Sequence, residues 1–341
     1  MKNKINLLKA LAIMLVVSGH LEFSLIPIFP PYSFQLALFF FISGMLFNEK
    51  YNFIEFVKRR FNSLLKPYIG YSIVYLGITI AIAPFVGKFW GMSINWYNEL
   101  VIPFLTGHQL DLTCPLWFVP QLFTTLIVYH ILNKLKFKTP VYFILAILAV
   151  YLGKFRENLY ILYLLRTMFS LLFVHLGYIY KSKIEGNYDL FSAKIFYIVI
   201  TIQALLWLTN QDYTPIDGIG LSYVLVWGEF DTLIVPILTS LTGIWISLFI
   251  IEVSWNYIKN WTFLHKIGEN TYHIMANHLL IFNIITYAIL WFKGIPFDIK
   301  NNANIYWFYC PVKTTYFYFV AGITLPVLAN ELIKKIKHCQ N

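Results

Sequence analysis

Long apolar runs separated by short polar or charged segments repeat along the whole chain. A helix that crosses a hydrocarbon core of about 30 Å needs roughly 20 apolar residues, and ten segments approach that length. They lie at roughly 5–27, 31–48, 67–86, 116–133, 140–153, 160–180, 192–209, 232–254, 271–292 and 313–333. These runs are apolar on all sides, whereas the strands of a membrane barrel alternate polar and apolar residues. The pattern predicts an all-α polytopic membrane helix bundle of about ten transmembrane helices, with residues 1–341 forming one integral-membrane domain.

The composition agrees with this pattern and excludes several classes of protein. Only 12% of the residues are charged and 59% are hydrophobic, whereas about a quarter of a soluble protein is charged. The mean hydropathy of +0.65 is an average over the whole chain, which excludes a secreted globular enzyme, a disordered protein and a disulfide scaffold. The three cysteines match no metal-binding spacing, so we expect no metal.

The net charge of +10 reflects short basic clusters between apolar runs. A nucleic-acid-binding protein would gather these residues into one stripe, so we expect no nucleic-acid partner. If the N-terminus is cytoplasmic, the inner segments hold 19 of the 26 Lys and Arg residues and the outer loops hold 6, while Arg166 lies within the sixth helix. This bias predicts that both termini are cytoplasmic.

Two segments outside the predicted spans carry distinctive charge. Residues 53–66 place apolar side chains near one face of a helix and Lys58, Arg59 and Arg60 largely on the other, which predicts a basic amphipathic helix on the cytoplasmic surface. Two interpretations of this cluster are open: its arginines bind the phosphate groups of a ligand, or the cluster binds anionic lipid and anchors the helix. The outer loop at 210–231 is rich in acidic and aromatic residues. This composition is typical either of a loop that binds a sugar or of an ordinary solvent-exposed loop.

Ionisable residues inside a membrane are costly and indicate function by default. His20 in the predicted first helix shares a face with Lys9, about 16 Å away along the helix axis. Glu22 lies about 200° round the helix and is not expected to orient the imidazole. A packing role for His20, hydrogen-bonded to a neighbouring helix, is the alternative.

Other candidate residues have strong structural interpretations. His278 is expected about 12 Å from the depth of His20, so contact between the two would need a kink or a re-entrant helix. Arg166 needs a carboxylate or a water-filled cavity. Ser43, followed by Gly44, favours close helix packing, and Trp117 favours an anchor in the aromatic belt of the membrane.

Several motifs together resemble the integral-membrane acyltransferase 3 family. The stretch KALAIMLVVSGH, from Lys9 to His20, is similar to the family's first-helix signature, and FFFISG at 39–44 to its second-helix ending. The basic segment at 56–68 resembles its cytoplasmic helix and the Pro that opens the third span. Leu116-Trp117-Phe118 and the stretch from Asn270 to His278 are similar to weaker motifs. The Lys form of the first motif is most like the branch that contains fucose 4-O-acetylases.

The resemblance implies transfer of an acyl group, usually acetyl, from cytoplasmic acetyl-CoA to a hydroxyl of a surface or lipid-linked glycan. It implies His20 as the general base, with an acetyl-His intermediate as an alternative, and Lys9, Lys58, Arg59 and Arg60 as contacts of CoA. Glu22, Ser43, Trp117, Phe118, Arg166 and His278 are expected to support the site. The implied location is the bacterial cytoplasmic membrane, among its lipids, with no permanently bound cofactor.

Two positions depart from the family pattern. Lys9 stands where many members have Arg, which removes bidentate geometry. Gln35 stands where relatives of this branch often have His, so no second ionisable group is expected there.

Two other functions remain open from the sequence. A polysaccharide exporter or flippase of the same superfamily would also be a polytopic bundle with intramembrane charges. A membrane glycosyltransferase would place catalytic acids in a large outer loop, and the longest predicted outer loop holds only Glu99 and Asp111.

Overall fold

A computed structural model describes residues 2–86, 102, 111–210, 221–230, 232–296 and 312–339. Within these ranges the protein is helical and has no strands, which confirms the predicted fold class. The main helices are α1 (Lys2–Gly19), α2 (Gln35–Met45), α3 (Phe53–Arg60), α4 (Lys66–Val86), α5 (Phe118–Lys134), α6 (Thr139–Tyr151), α7 (Leu159–Ile179), α8 (Ala193–Thr209), α9 (Val235–Ile258), α10 (Thr262–Glu269), α11 (Thr271–Phe292) and α12 (Thr315–Cys339).

Each of the ten apolar segments overlaps one of these helices. Five stretches of the described chain are long and apolar enough to cross a membrane: Cys114–Lys134, Leu159–Ile184, Val235–Ile258, Thr271–Phe292 and Thr315–Lys337. Shorter apolar helices occupy Gln35–Met45, Thr139–Phe155 and Ala193–Thr209. The protein is thus a multi-pass helical bundle by composition, while ten spans with cytoplasmic termini stay a prediction.

The first helix is shorter than its apolar run predicts. It ends at Gly19 rather than near residue 27, and the chain turns through residues 20–34 before α2 begins. Glu22 explains this ending, because its φ of 59° is left-handed and the amides of Glu22 and Phe23 bond the carbonyls of Gly19 and Ser18 at 3.1 and 3.2 Å, as at a helix C-terminus. Pro27, Pro30 and Pro31 then keep the following segment from resuming the helix. Tyr32 has a φ of 60°, a left-handed conformation that costs a tyrosine about 1–3 kcal/mol.

The predicted basic amphipathic helix is present as α3. The Asn52 side chain accepts a hydrogen bond from the Glu55 amide at 2.9 Å and so caps its first turn. Phe56 is fully buried, whereas Phe53 is 47% exposed, so only part of the predicted apolar face packs on the bundle. A turn of π-helix at Phe61–Leu65 joins α3 to α4.

Helix α1 lies between two packed hydrophobic clusters. The larger joins α1 to α2, α5, α6, α7 and α9, and the smaller joins α1 to α10, α11 and α12. The residues at the end of α1 therefore lie where both clusters meet.

Two glycines allow α2 and α7 to approach closely. A Cβ on Gly177 would lie 1.9 Å from the carbonyl oxygen of Phe41, and a Cβ on Gly44 would lie 2.0 Å from that of Val174. The close-packing role predicted for the Ser43-Gly44 pair is confirmed at Gly44.

We expect Gly177→Ala to destabilise the bundle, because the new methyl group has no space and α2 must move away from α7. Overpacking of this kind costs about 1–3 kcal/mol. Thermal unfolding of the purified protein in detergent, followed by fluorescence-detected size exclusion, measures the change.

Gly77→Ala in α4 is the matched control, since nothing lies within 4 Å of its added Cβ. This variant should unfold at the wild-type temperature or above it, because Ala favours helix over Gly. Equal unfolding temperatures for the Gly177→Ala variant and the wild type would contradict the close-packing interpretation.

Candidate functional site

Two histidines meet at the junction of the two clusters. Nε2 of His278, in α11, lies 3.3 Å from Nδ1 of His20, and their ring centroids are 4.9 Å apart. His278 is fully buried. His20 stands one residue beyond the end of α1, and its amide still donates to the Val16 carbonyl at 3.2 Å.

Neighbouring carbonyl groups determine which ring nitrogens carry protons. Nδ1 of His20 lies 3.0 Å from the Val16 oxygen, and Nδ1 of His278 lies 2.8 Å from the Ile274 oxygen. A carbonyl only accepts hydrogen bonds, so both Nδ1 atoms are donors and Nε2 of a neutral ring is unprotonated. Nε2 of His278 then accepts from His20, and Nε2 of His20 has no hydrogen-bond partner within the described residues. His20 therefore offers a basic nitrogen held in a fixed orientation.

The expected separation of His20 and His278 is wrong. That expectation aligned the starts of the two helices at one depth, whereas Gly268 packs directly against the backbone of Asn6. Because α11 begins only after Gly268, its start lies further along α1 than aligned helix starts would place it. His278 therefore reaches the level of His20, and the two rings come within 3.3 Å.

His20 lines a cavity of about 240 Å³ with a mostly apolar and aromatic wall. The wall comes from the end of α1, the segment 32–39, the start of α5, residues 223–227 and one residue of α11. Its members include Ile13, Val16, Gly19, Tyr32, Gln35, Phe39, Trp117, Phe118, Tyr223, Trp227 and Met275.

Trp117 is 6% exposed and packs in this wall, so its expected role as a membrane-belt anchor is wrong. A 3₁₀ turn at Asp111–Trp117 places it inside the bundle. The guanidinium of Arg166 lies 5.5 Å from the Trp117 ring centroid and 6.0 Å from that of Tyr163. Arg166 is fully buried, and these aromatic faces form part of its surroundings.

A second cavity, of about 220 Å³, adjoins the first. Lys9, Ser43 and Arg60 line it, together with the first residues of α11. Phe39, Phe118 and Met275 line both cavities and so form the partition between them. The rings of Phe39 and Phe118 are in contact, with centroids 5.7 Å apart.

A third cavity, of about 620 Å³, lies beside α3 and adjoins the second. It is lined by Leu46, Asn48, Tyr51, Phe56, Arg59, Arg60, Asn62 and Ser63. Leu46, Arg60 and Ser63 also line the second cavity. Three adjoining cavities therefore lead from the basic helix α3, past Lys9, to His20.

The predicted basic residues differ in their surroundings. Arg59 forms an ion pair with Glu55 at 3.0 Å and lies over the Tyr51 ring at 4.3 Å. Arg60 is partly buried, and its nearest partners are the Leu46 carbonyl at 3.4 Å and the Phe56 ring at 5.1 Å. Burial lowers the pKa of Arg60, against an opposing effect of Tyr51, and no carboxylate pairs with it among the described residues. Lys58 is exposed and outside the cavity linings described above.

The remaining predicted residues lie around this series of cavities. The Ser43 hydroxyl donates to the Phe39 carbonyl at 2.9 Å and borders the second cavity. Glu22 is exposed and makes no hydrogen bond to His20. In the acidic and aromatic loop, Tyr223 and Trp227 line the His20 cavity, whereas Glu229 pairs with Arg156 at 3.2 Å. Residues 211–220 and 231, with the other acidic side chains of that loop, and the predicted outer loop acids at 99 and 111 lie outside the residues whose side chains are described.

Sequence reasoning missed three residues of the site. Phe39 and Met275 carry no charge and lie in apolar runs, so only the fold shows that they separate two cavities. Tyr32 follows two prolines. This pattern predicts a turn, but it does not indicate that Tyr32 lies beside His20.

Comparison with known protein families shows the family to which the chain belongs. A model of the acyltransferase domain family, Acyl_transf_3, matches residues 2–330. No curated protein and no solved structure matches it. Because the match covers nearly the whole chain, this multi-pass helical protein belongs to the acyltransferase 3 family and is an acyltransferase.

Proposed function

We propose that the protein transfers an acetyl group from cytoplasmic acetyl-CoA to a hydroxyl of a cell-surface or lipid-linked glycan at the bacterial cytoplasmic membrane. The observation that carries this proposal is the series of cavities from α3 to His20. It provides a place for a charged nucleotide at one end, a narrow path in the middle, and a base at the far end.

The donor end suits the polyanionic part of CoA. Arg60 borders both the open cavity beside α3 and the narrower cavity of Lys9, so one guanidinium reaches either side of that junction. A partly buried guanidinium without a carboxylate partner favours an anionic ligand, because charge-assisted hydrogen bonds to phosphate are strong. The thin pantetheine arm then passes Lys9 and brings its thioester to the partition formed by Phe39, Phe118 and Met275.

The acceptor end suits a carbohydrate. Aromatic side chains dominate the His20 cavity, and Trp117, Tyr223 and Trp227 provide faces for the apolar side of a sugar ring. Nε2 of His20 takes the proton of the glycan hydroxyl as its oxygen attacks the thioester carbon. The Val16 carbonyl and Nε2 of His278 both face Nδ1 of His20 and keep the proton on that atom, which leaves Nε2 of His20 without a proton. An acetyl group carried on His20 itself is the alternative route.

We expect Arg60→Ala to weaken CoA binding by about 10- to 100-fold, since one charge-assisted hydrogen bond contributes about 1.5–3 kcal/mol. Arg59→Ala should have a smaller effect because Arg59 already pairs with Glu55. Lys58→Ala should change the affinity least of the three. Isothermal titration of CoA into the purified protein in nanodiscs measures the dissociation constants.

Lys50→Ala is the matched control, since Lys50 is exposed near α3 but outside the cavity linings. Its dissociation constant should equal that of the wild type. Undiminished CoA affinity in the Arg60→Ala protein would refute the donor site proposed here.

We expect His20→Ala to abolish acetylation of surface glycans while the glycans still reach the surface. The physical reason is the loss of the only imidazole among the described residues that line the first cavity. Mass spectrometry of surface glycans reports the modification and the export together, and immunoblotting of membranes confirms the protein level.

His265→Ala is the control for this variant, because the His265 ring bonds the Lys259 carbonyl away from the cavities. It should leave acetylation unchanged. Normal acetylation in the His20→Ala strain would exclude His20 as the base. Loss of the glycan from the surface would instead support the exporter or flippase function.

A further inference from the structure

Tyr32 lies beside His20 in a strained and tightly held conformation. Its ring meets the His20 ring edge-on, with centroids 5.9 Å apart, and lines the same cavity. Its φ of 60° is unusual for a bulky side chain. Such strain persists only where surrounding contacts hold it, and it is concentrated at functional sites.

Two contacts from a distant part of the chain and one local hydrogen bond hold the backbone around Tyr32. The Tyr223 amide donates to the Tyr32 carbonyl at 2.9 Å, and the Ser222 hydroxyl donates to the Pro31 carbonyl at 2.6 Å. The Ser33 hydroxyl donates to the Pro30 carbonyl at 2.8 Å. The backbone of Tyr32 is therefore fixed from both sides.

The Tyr32 hydroxyl makes no hydrogen bond to the described residues, although the Cys114 side chain lines the same cavity. Two other polar groups in the wall are already engaged: the Tyr223 hydroxyl bonds to that of Ser240 at 2.9 Å, and the Gln35 oxygen accepts from the Phe34 amide at 3.0 Å. Trp117 also offers an N–H group, but its ring packs against Phe118 and Arg166 and makes no contact with the His20 ring.

We infer that Tyr32 is a catalytic residue whose hydroxyl donates a hydrogen bond to the thioester oxygen as negative charge develops there. This inference rests on the proposed function. The acceptor oxygen forms a bond to the thioester carbon, and Nε2 of His20 takes its proton. The carbonyl electron pair moves to the oxygen that Tyr32 faces. When the carbonyl re-forms, the carbon–sulfur bond breaks with its electron pair on sulfur, and the proton on His20 passes to that sulfur to give free CoA.

The test uses water as the acceptor, so that no glycan is needed. Purified full-length protein in nanodiscs is given acetyl-CoA, and the released CoA thiol is followed with a thiol reagent. We expect Tyr32→Phe to lower the kcat of hydrolysis by about 100-fold, as the loss of one oxyanion donor does. The KM for acetyl-CoA and the pH profile should stay unchanged, because Arg60 and His20 are intact. Tyr257→Phe, an exposed site, is the matched control and should behave like the wild type.

The outcomes separate this inference from the proposed function. If the wild type and His20→Ala release CoA at the same rate, the proposed function itself fails. If His20→Ala is inactive while Tyr32→Phe hydrolyses acetyl-CoA at the wild-type rate, the inference alone is overturned. A Tyr32→Phe protein that fails only with glycan would make Tyr32 a contact of the acceptor, and a loss confined to Trp117→Phe would assign the donor to Trp117. Either result overturns the inference.

Discussion

The backbone that follows α1 imposes the central constraint on this structure. In a membrane, non-helical backbone is tolerated only where the protein itself satisfies its polar groups. Residues 20–34 leave the helix, and side chains from other elements bond their carbonyls. Gln203 in α8 donates to the Ile28 carbonyl at 2.8 Å and accepts from Thr242 in α9 at 2.7 Å. Together with the bonds from residues 222 and 223, these contacts hold the segment that carries Tyr32 beside His20.

The candidate site depends on this arrangement because its residues lie on different elements. The arginines lie on a short helix capped by Asn52, whereas His20, the proposed base, stands where α1 meets α11. Close packing of α2 against α7 at Gly44 and Gly177 holds α2 beside the adjoining cavities. A small change in that packing would also move the partition between the cavities, since Phe39 lies on the same helix as Gly44.

The sequence predicted much of the fold but only part of the site. Apolar runs located the helices, because burial in lipid demands continuous hydrophobicity. Local signals also identified the α3 cluster and selected Lys9 and His20, which line adjoining cavities. The contact between His20 and His278 was missed because depth was counted from each helix start, and Gly268 shows that the starts differ. Trp117 was misassigned because its inward direction depends on the 3₁₀ turn, and Tyr32 because its position depends on bonds to residues almost 200 positions away.

The aromatic partition has a consequence for the membrane itself. An enzyme that binds its donor from one side of the membrane and its acceptor from the other needs a passage that runs through most of the membrane. Phe39, Phe118 and Met275 place apolar side chains between the two cavities, where they oppose the passage of water and protons. On the proposed function, the pantetheine arm would occupy this opening during the reaction, so that the barrier to protons would persist through the catalytic cycle.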